Sequence, residues 1–251
     1  DGRFDGKLVA KPKGHTFKGL YQKNVGEELE KYFLEKGREI NFTICNDTTA
    51  IGLSSFDWTD FRPEDSITGV VGTGFNFGLF ENKKTFVNLE LGNFNKFEQT
   101  KTGKIIDDHS NNKGFQLLEK EVGGGYLYQH FNYLVKESGS GLEIKNTKEL
   151  SILLATGKFA DKEHALQVYK CSAEFVAGTI FGLYEFKKIQ NKFENFKMLV
   201  LIEGSLYWKG YQFKEMVNQK LLELGMDLNN LKIDQTRKIG LKGAARLVLA
   251  G

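Results

Sequence analysis

The run Ile40-Asn41-Phe42-Thr43-Ile44-Cys45 leads into Asn46-Asp47-Thr48, and Gly69-Val70-Val71-Gly72-Thr73-Gly74-Phe75-Asn76 follows further along the chain. The first stretch reads as a buried strand delivering a carboxylate at its end, a place where Asp serves either as a base or as a helix cap. The second reads as another apolar strand followed by a tight Gly-Thr-Gly turn, whose backbone N–H groups can approach phosphate closely. The pair points to phosphoryl transfer from a nucleotide. It is not a dinucleotide fingerprint, because the next glycine is Gly78 and a strand, not a helix, follows. No GxxxxGK[ST] loop occurs in the chain.

Outward from these segments, alternation and helical spacing set the remaining elements. Lys7 to Lys11 reads as a short strand. Asn24 to Lys36 reads as a helix with Val25, Leu29, Tyr32 and Phe33 on one face and Gly37 as its stop. With Ile40 to Cys45 these predict a β-α-β unit. Ile67–Gly72, Asn76–Phe80 and Thr85–Glu90 read as consecutive strands. Gly114 to about Glu185 is mainly helical, and Lys197–Ile202 is a continuous apolar strand. A helix carrying Phe213, Met216, Val217, Leu221 and Leu224, a short strand near Leu231 and a last helix from Leu241 to Leu249 complete an α/β pattern.

The chain has 251 residues, 40% of them hydrophobic, enough for one large domain or two unequal lobes. Net charge is +3, with acidic and basic residues interspersed. That is a solvated surface rather than a nucleic-acid face. Cys45 and Cys171 lie in apolar runs without a CxxC pair, so they read as buried free thiols in a reducing compartment. No apolar run reaches the ~20 residues of a membrane span, and no signal peptide is visible, so the expected location is cytoplasmic and no membrane partner is expected. His109, beside Asp107 and Asp108, reads as part of a polar loop rather than a metal site. The two sequons at Asn41 and Asn46 fall on a predicted buried strand and carry no glycan expectation.

The ordered motifs resemble the hexokinase family. Leu8-Val9-Ala10-Lys11-Pro12-Lys13-Gly14-His15 is similar to its aliphatic-x-x-Trp-Thr-Lys-Gly-Phe segment, and Asn46-Asp47-Thr48 is an intact Asn-Asp-Thr. Val71 to Asn76 resembles its Gly-Thr-Gly-x-Asn turn. Asn88-Leu89-Glu90-Leu91-Gly92-Asn93-Phe94 resembles Asn-x-Glu-Trp-Gly-x-Phe. Asp107 to Lys120 resembles Asp-x-x-Ser-x-Asn-x-Gly-x-Gln-x-aromatic-Glu-Lys, continuing into Gly124-Gly125-Tyr126-Leu127. Ile202-Glu203-Gly204-Ser205-Leu206-Tyr207 resembles Val-Asp-Gly-Thr-aliphatic-Tyr, and Lys242-Gly243-Ala244-Ala245 matches the opening of the last helix.

The resemblance implies an actin-like ATPase fold built of ribonuclease-H-like lobes. Residues 1–46 would be the end of the smaller lobe and 47–251 the larger lobe. It implies transfer of the ATP γ-phosphoryl group to the 6-hydroxyl of glucose or a similar hexose. Asp47 would be the general base. Lys13, Asn46, Asn76, Glu90, Gln116 and Glu119 would hold sugar hydroxyls. Gly72, Thr73, Gly74, Gly124, Gly204 and Ser205 would surround the nucleotide, with Mg2+ held mainly through the phosphates. Pro12, Leu91, Glu203, Ser205 and Leu241 depart from the pattern. The family's Asp-x-Gly-Gly-Thr phosphate hairpin and its Ser-Phe-Pro sugar loop do not occur in this sequence. An upstream lobe is therefore expected in the full protein. The alternative reading is a non-catalytic sugar sensor or regulatory protein of the same family.

Overall fold

The computed structural model describes residues 5–9, 18–157, 159–191, 196–235 and 239–250. Helix α1 (Val25–Glu35) and the short helix α2 (Asp47–Leu53) precede a sheet of five strands: β1 (Ser66–Val71), β2 (Phe75–Asn82), β3 (Thr85–Asn88), β4 (Met198–Glu203) and β5 (Leu231–Asp234). Their order is β3-β2-β1-β4-β5. Strands β1, β2 and β3 form an antiparallel meander, while β1 pairs with β4, and β4 with β5, in parallel.

A parallel pair needs a long crossover. Between β3 and β4 it is made by α3 (Lys101–Asp108), α4 (Leu117–Val122), α5 (Leu127–Glu137), α6 (Thr147–Thr156) and α7 (Phe159–Asn191). Between β4 and β5 it is made by α8 (Ser205–Lys209) and α9 (Phe213–Glu223); α10 (Ile239–Ala250) follows β5.

Period-two alternation divides the sheet between two layers. Ile67, Val71, Phe77, Leu79, Met198, Val200 and Ile202 face the large core built with α5, α7 and α9. Leu199 and Leu201 face the other way and pack with Ile51 of α2. Ile51 is fully buried, which stabilises the α2 layer by about 1.5–3 kcal/mol. The result is the expected α/β class, with a helical layer on each face of a mixed sheet.

Two expected elements differ. Residues 40–46 carry no regular secondary structure and pair with no described strand. Instead Phe42 stacks on Phe33 of α1 at 5.5 Å, and its N–H donates to Glu30 Oε1 (2.9 Å). An apolar alternating run satisfies the sequence criterion for a strand, but a ladder also needs a neighbour. Of the expected strand from Lys7 to Lys11, Lys7 makes a single bridge with Asn24, and residues 10 and 11 lie outside the described residues. The predicted β-α-β unit is therefore not formed by the described residues. No described helix is long and apolar enough to cross a membrane.

His130 of α5 supports α4. It is 5% exposed, and Nε2 lies 2.9 Å from the Lys120 carbonyl. A carbonyl only accepts, so Nε2 carries the proton, and Nδ1 of the neutral ring accepts from the Thr102 hydroxyl at 2.6 Å. Burial holds the imidazole below its usual pKa, against the opposing pull of the Lys120 carbonyl and Glu121. The unfolded chain therefore binds a proton that the folded chain refuses. The stability from this group is complete above the unfolded value of about 6.5 and is lost as pH falls below it. Melting curves from pH 7.5 to 5 are expected to show the gap between wild type and His130→Gln closing as pH falls. A constant gap would contradict this.

Candidate active site

The cleft forms where the two central parallel strands end. β1 and β4 run side by side, with Val70 opposite Glu203, so the turns that follow them, Gly72-Thr73-Gly74 and Gly204-Ser205, emerge together. This is the usual ligand position in an open α/β sheet. The turns touch backbone to backbone. A Cβ on Gly72 would lie 3.2 Å from Gly204 Cα, and one on Gly204, whose φ is +130°, would lie 2.2 Å from the Val71 carbonyl. Glycine is required at Gly204 on both counts. The Gly72 and Thr73 carbonyls accept from Gly124 and Gly125 N–H at 2.7 and 2.9 Å. The turn's oxygens are thereby anchored on the protein side. Gly124 thus lies behind the turn rather than in the cleft lining.

The cleft has a volume of about 1380 Å³. Its lining includes Asn46, Asp47, Gly72, Thr73, Gly74, Asn76, Glu90, Gln116, Glu119, Gly204 and Ser205. Eleven of the thirteen residues singled out from the sequence are thus brought together; Lys13 lies outside the described residues. Cys45, Asn93, Asn112, Phe115 and Glu203 also line it. They belong to the quoted motifs, but a single polar or aromatic side chain in a loop carries no periodic signal that would mark it.

Asp47 opens α2. The cap is Asn46, whose Oδ1 accepts from Thr48 N–H (2.8 Å); Asp47 Oδ1 also takes that N–H (2.7 Å). Both side chains are exposed to the cleft. Thr48 is fully buried, and its hydroxyl accepts from Asn76 Nδ2 (3.0 Å). Asn76 gives its second amide proton to Asn88 Oδ1 (2.7 Å), and its own oxygen accepts from Phe77 and Leu91 N–H at 2.8 and 3.1 Å. The Asn76 amide is thus engaged at every proton within the protein, tying α2 to the turn after β3. Asn88 Nδ2 in turn donates to Glu90 Oε1 (2.6 Å).

Glu90 and Gln116 both adopt left-handed backbone, φ +48° and +54°. Gln116 is held by Asn93, which accepts its N–H (3.2 Å), and by Asn112, whose Nδ2 donates to its Oε1 (2.9 Å). Glu119 on α4 is 5% exposed and accepts from Phe75 N–H (3.0 Å). Burial, with Glu119 and Tyr128 nearby, raises the Tyr126 hydroxyl pKa. Among the described residues the lining holds the carboxylates Asp47, Glu90, Glu119 and Glu203 and no lysine or arginine.

Comparison with known proteins agrees with this architecture. A hexokinase family model matches residues 66–137, from β1 through α5. A hexokinase of Emericella nidulans is 32% identical over 146 residues, half of this chain but 29% of that protein. Hexokinase-1 of spinach (Spinacia oleracea) is 29% identical over 140 residues, 27% of its length. The matched stretch therefore spans less than a third of these relatives. In three dimensions, a hexokinase from Schistosoma mansoni complexed with glucose superposes with a TM-score of 0.77 over 99% of this chain and 67% of that one, at 21% identity. A ROK family glucokinase from Streptomyces griseus in complex with glucose and AMPPNP gives 0.62 at 15% identity, covering all of this chain and 80% of the other. The fold is the actin-like ATPase fold of these sugar kinases. Over the matched segment, and along about half of its length, this chain is similar to hexokinases.

Proposed function

We propose that the protein transfers the γ-phosphoryl group of ATP to the 6-hydroxyl of glucose or a similar hexose, with Asp47 as general base. The observation that carries this reading is that Asp47 opens onto the same cleft as the two glycine turns after β1 and β4. Asn46, Glu90, Gln116 and Glu119 would bind the sugar, their amides and carboxylates matching the fixed hydroxyl directions of a pyranose. Asn76, whose amide is already engaged, would act by holding Thr48 and the Leu91 turn in place. Lys13 would add a donor to the sugar.

The Gly72-Thr73-Gly74 turn, Gly204 and the Ser205 hydroxyl would receive the phosphates, and the absence of Cβ atoms where the turns meet suits a group that needs close backbone approach. Gly124 would support the nucleotide through Gly72. A described lining of carboxylates without a basic side chain suits a nucleotide that arrives with its own cation. Mg2+ held through the phosphates supplies that charge neutralisation when bound. Asp47 accepts the proton of the attacking hydroxyl as that oxygen bonds to the γ-phosphorus, and the bond to the β-phosphate oxygen breaks in line, releasing ADP.

The test is formation of glucose 6-phosphate by the intact protein from glucose, ATP and Mg2+. Product that requires all three is the expected result. Glucose that raises the melting temperature without turnover would favour the sensor or regulatory reading, and no effect of glucose on either would remove the hexose reading.

A further inference from the structure

We propose that Lys120, which lies outside the cleft lining, is a positioning residue for hexose binding: its buried ammonium fixes the loop from Asp107 to Gln116 against α4 and so sets where Gln116 and Glu119 stand. The inference rests on the hexose reading of the cleft.

Lys120 is completely buried. Its three ammonium protons meet three acceptors: Asp107 Oδ1 at 2.5 Å, Ser110 Oγ at 2.9 Å and the Asn112 carbonyl at 3.0 Å. Asp107, itself 7% exposed, also accepts from Gly114 N–H at 3.0 and 3.1 Å. One ammonium and one carboxylate, the latter at the end of α3, therefore gather three points, Ser110, Asn112 and Gly114, of the irregular loop between α3 and α4. The same loop delivers Asn112 Nδ2 to Gln116 Oε1 (2.9 Å) at the left-handed entry to α4.

Glu119 and Lys120 are consecutive on α4, so their side chains diverge by about 100° around the helix. Glu119 is fastened to Phe75 of β2 and lines the cleft; Lys120 is fastened to the loop. The short helix is thereby clamped between the sheet and the loop. A buried ion pair is poor evidence for stability, because its desolvation cost rivals its attraction. Its consequence here is geometric: the pair fixes which way the loop and α4 face.

Separating position from stability needs both charges removed together. Lys120→Met alone would strand Asp107 as a buried, uncompensated charge and lower the melting temperature. The double variant Lys120→Met/Asp107→Asn relieves that, because the amide oxygen still accepts from Gly114 N–H. In the intact protein, the double variant is expected to melt within a few degrees of wild type. Amides of residues 110–119 should exchange about tenfold faster or more, the glucose KM should rise about 10- to 100-fold, and the ATP KM should change less than about twofold.

Wild-type exchange protection over 110–119 in the double variant overturns the proposal whether or not glucose is turned over. Faster exchange with an unchanged glucose KM overturns it as well, as does an equal rise in both KM values. Failure of the hexose reading is distinguishable, because it shows in the wild-type protein, before any substitution, as an absence of glucose binding, and it removes this inference too.

Discussion

Asp47→Asn is expected to lower kcat by at least about 100-fold, the contribution of a well-placed general base, with the glucose KM changed only a few-fold. The substitution is nearly isosteric. The amide oxygen still accepts from Thr48 N–H, and the cap of α2 belongs to Asn46, so the helix start is preserved. The melting temperature should stay within a few degrees of wild type. Steady-state kinetics on the intact protein, read beside a melting curve, separate the outcomes. A fall in kcat and kcat/KM together marks an interaction made only in the transition state. An unchanged kcat removes Asp47 from the chemistry, leaving it as a helix-opening residue.

The second large effect lies away from the cleft. Gly243 of α10 sits on α2 so closely that an added Cβ would lie 1.6 Å from the Ala50 carbonyl oxygen and 2.6 Å from its carbon. Both obstacles are backbone, so no rotamer change relieves the clash. Gly243→Ala should cost about 3 kcal/mol, the upper end for overpacking, and lower the melting temperature by roughly 6–12 °C. Ala50 belongs to the seven-residue helix that Asp47 opens, so displacing α10 also disturbs the proposed base. Gly178→Ala in α7 is the control. Its Cβ would meet nothing within 4 Å, and the helix should gain about 0.5–1 kcal/mol. Equal melting temperatures for the two variants would refute the account of Gly243.

The sheet was legible because each of its strands is a short apolar run bounded by turn residues. β4, with Met198 to Ile202 fully buried, could hardly be anything else. Residues 40–45 carry the same signal and make no ladder, because pairing is a property of two segments and the sequence displays one at a time. The cleft residues were legible through motif order. Their roles were less so: Asn76 looks like a sugar contact in the motif, yet its amide is spent on Thr48, Asn88, Phe77 and Leu91. Lys120 gave no sign of burial, since a lysine between two glutamates reads as a solvated helix face. Gly243 was visible as part of a motif, but its reason, a carbonyl on another helix, is wholly three-dimensional.

Of the non-glycine residues described with left-handed backbone, Gln22, Glu90, Gln116 and Gln212, two face the cleft. Each such residue costs about 1–2 kcal/mol that glycine would not. A laboratory lineage rewarded for surviving heat, and for nothing else, would drift toward glycine at Glu90 and Gln116. Its hardiest members would have discarded two of the groups that face the cleft. Endurance and the recognition proposed for this cleft compete for the same pair of backbone torsions.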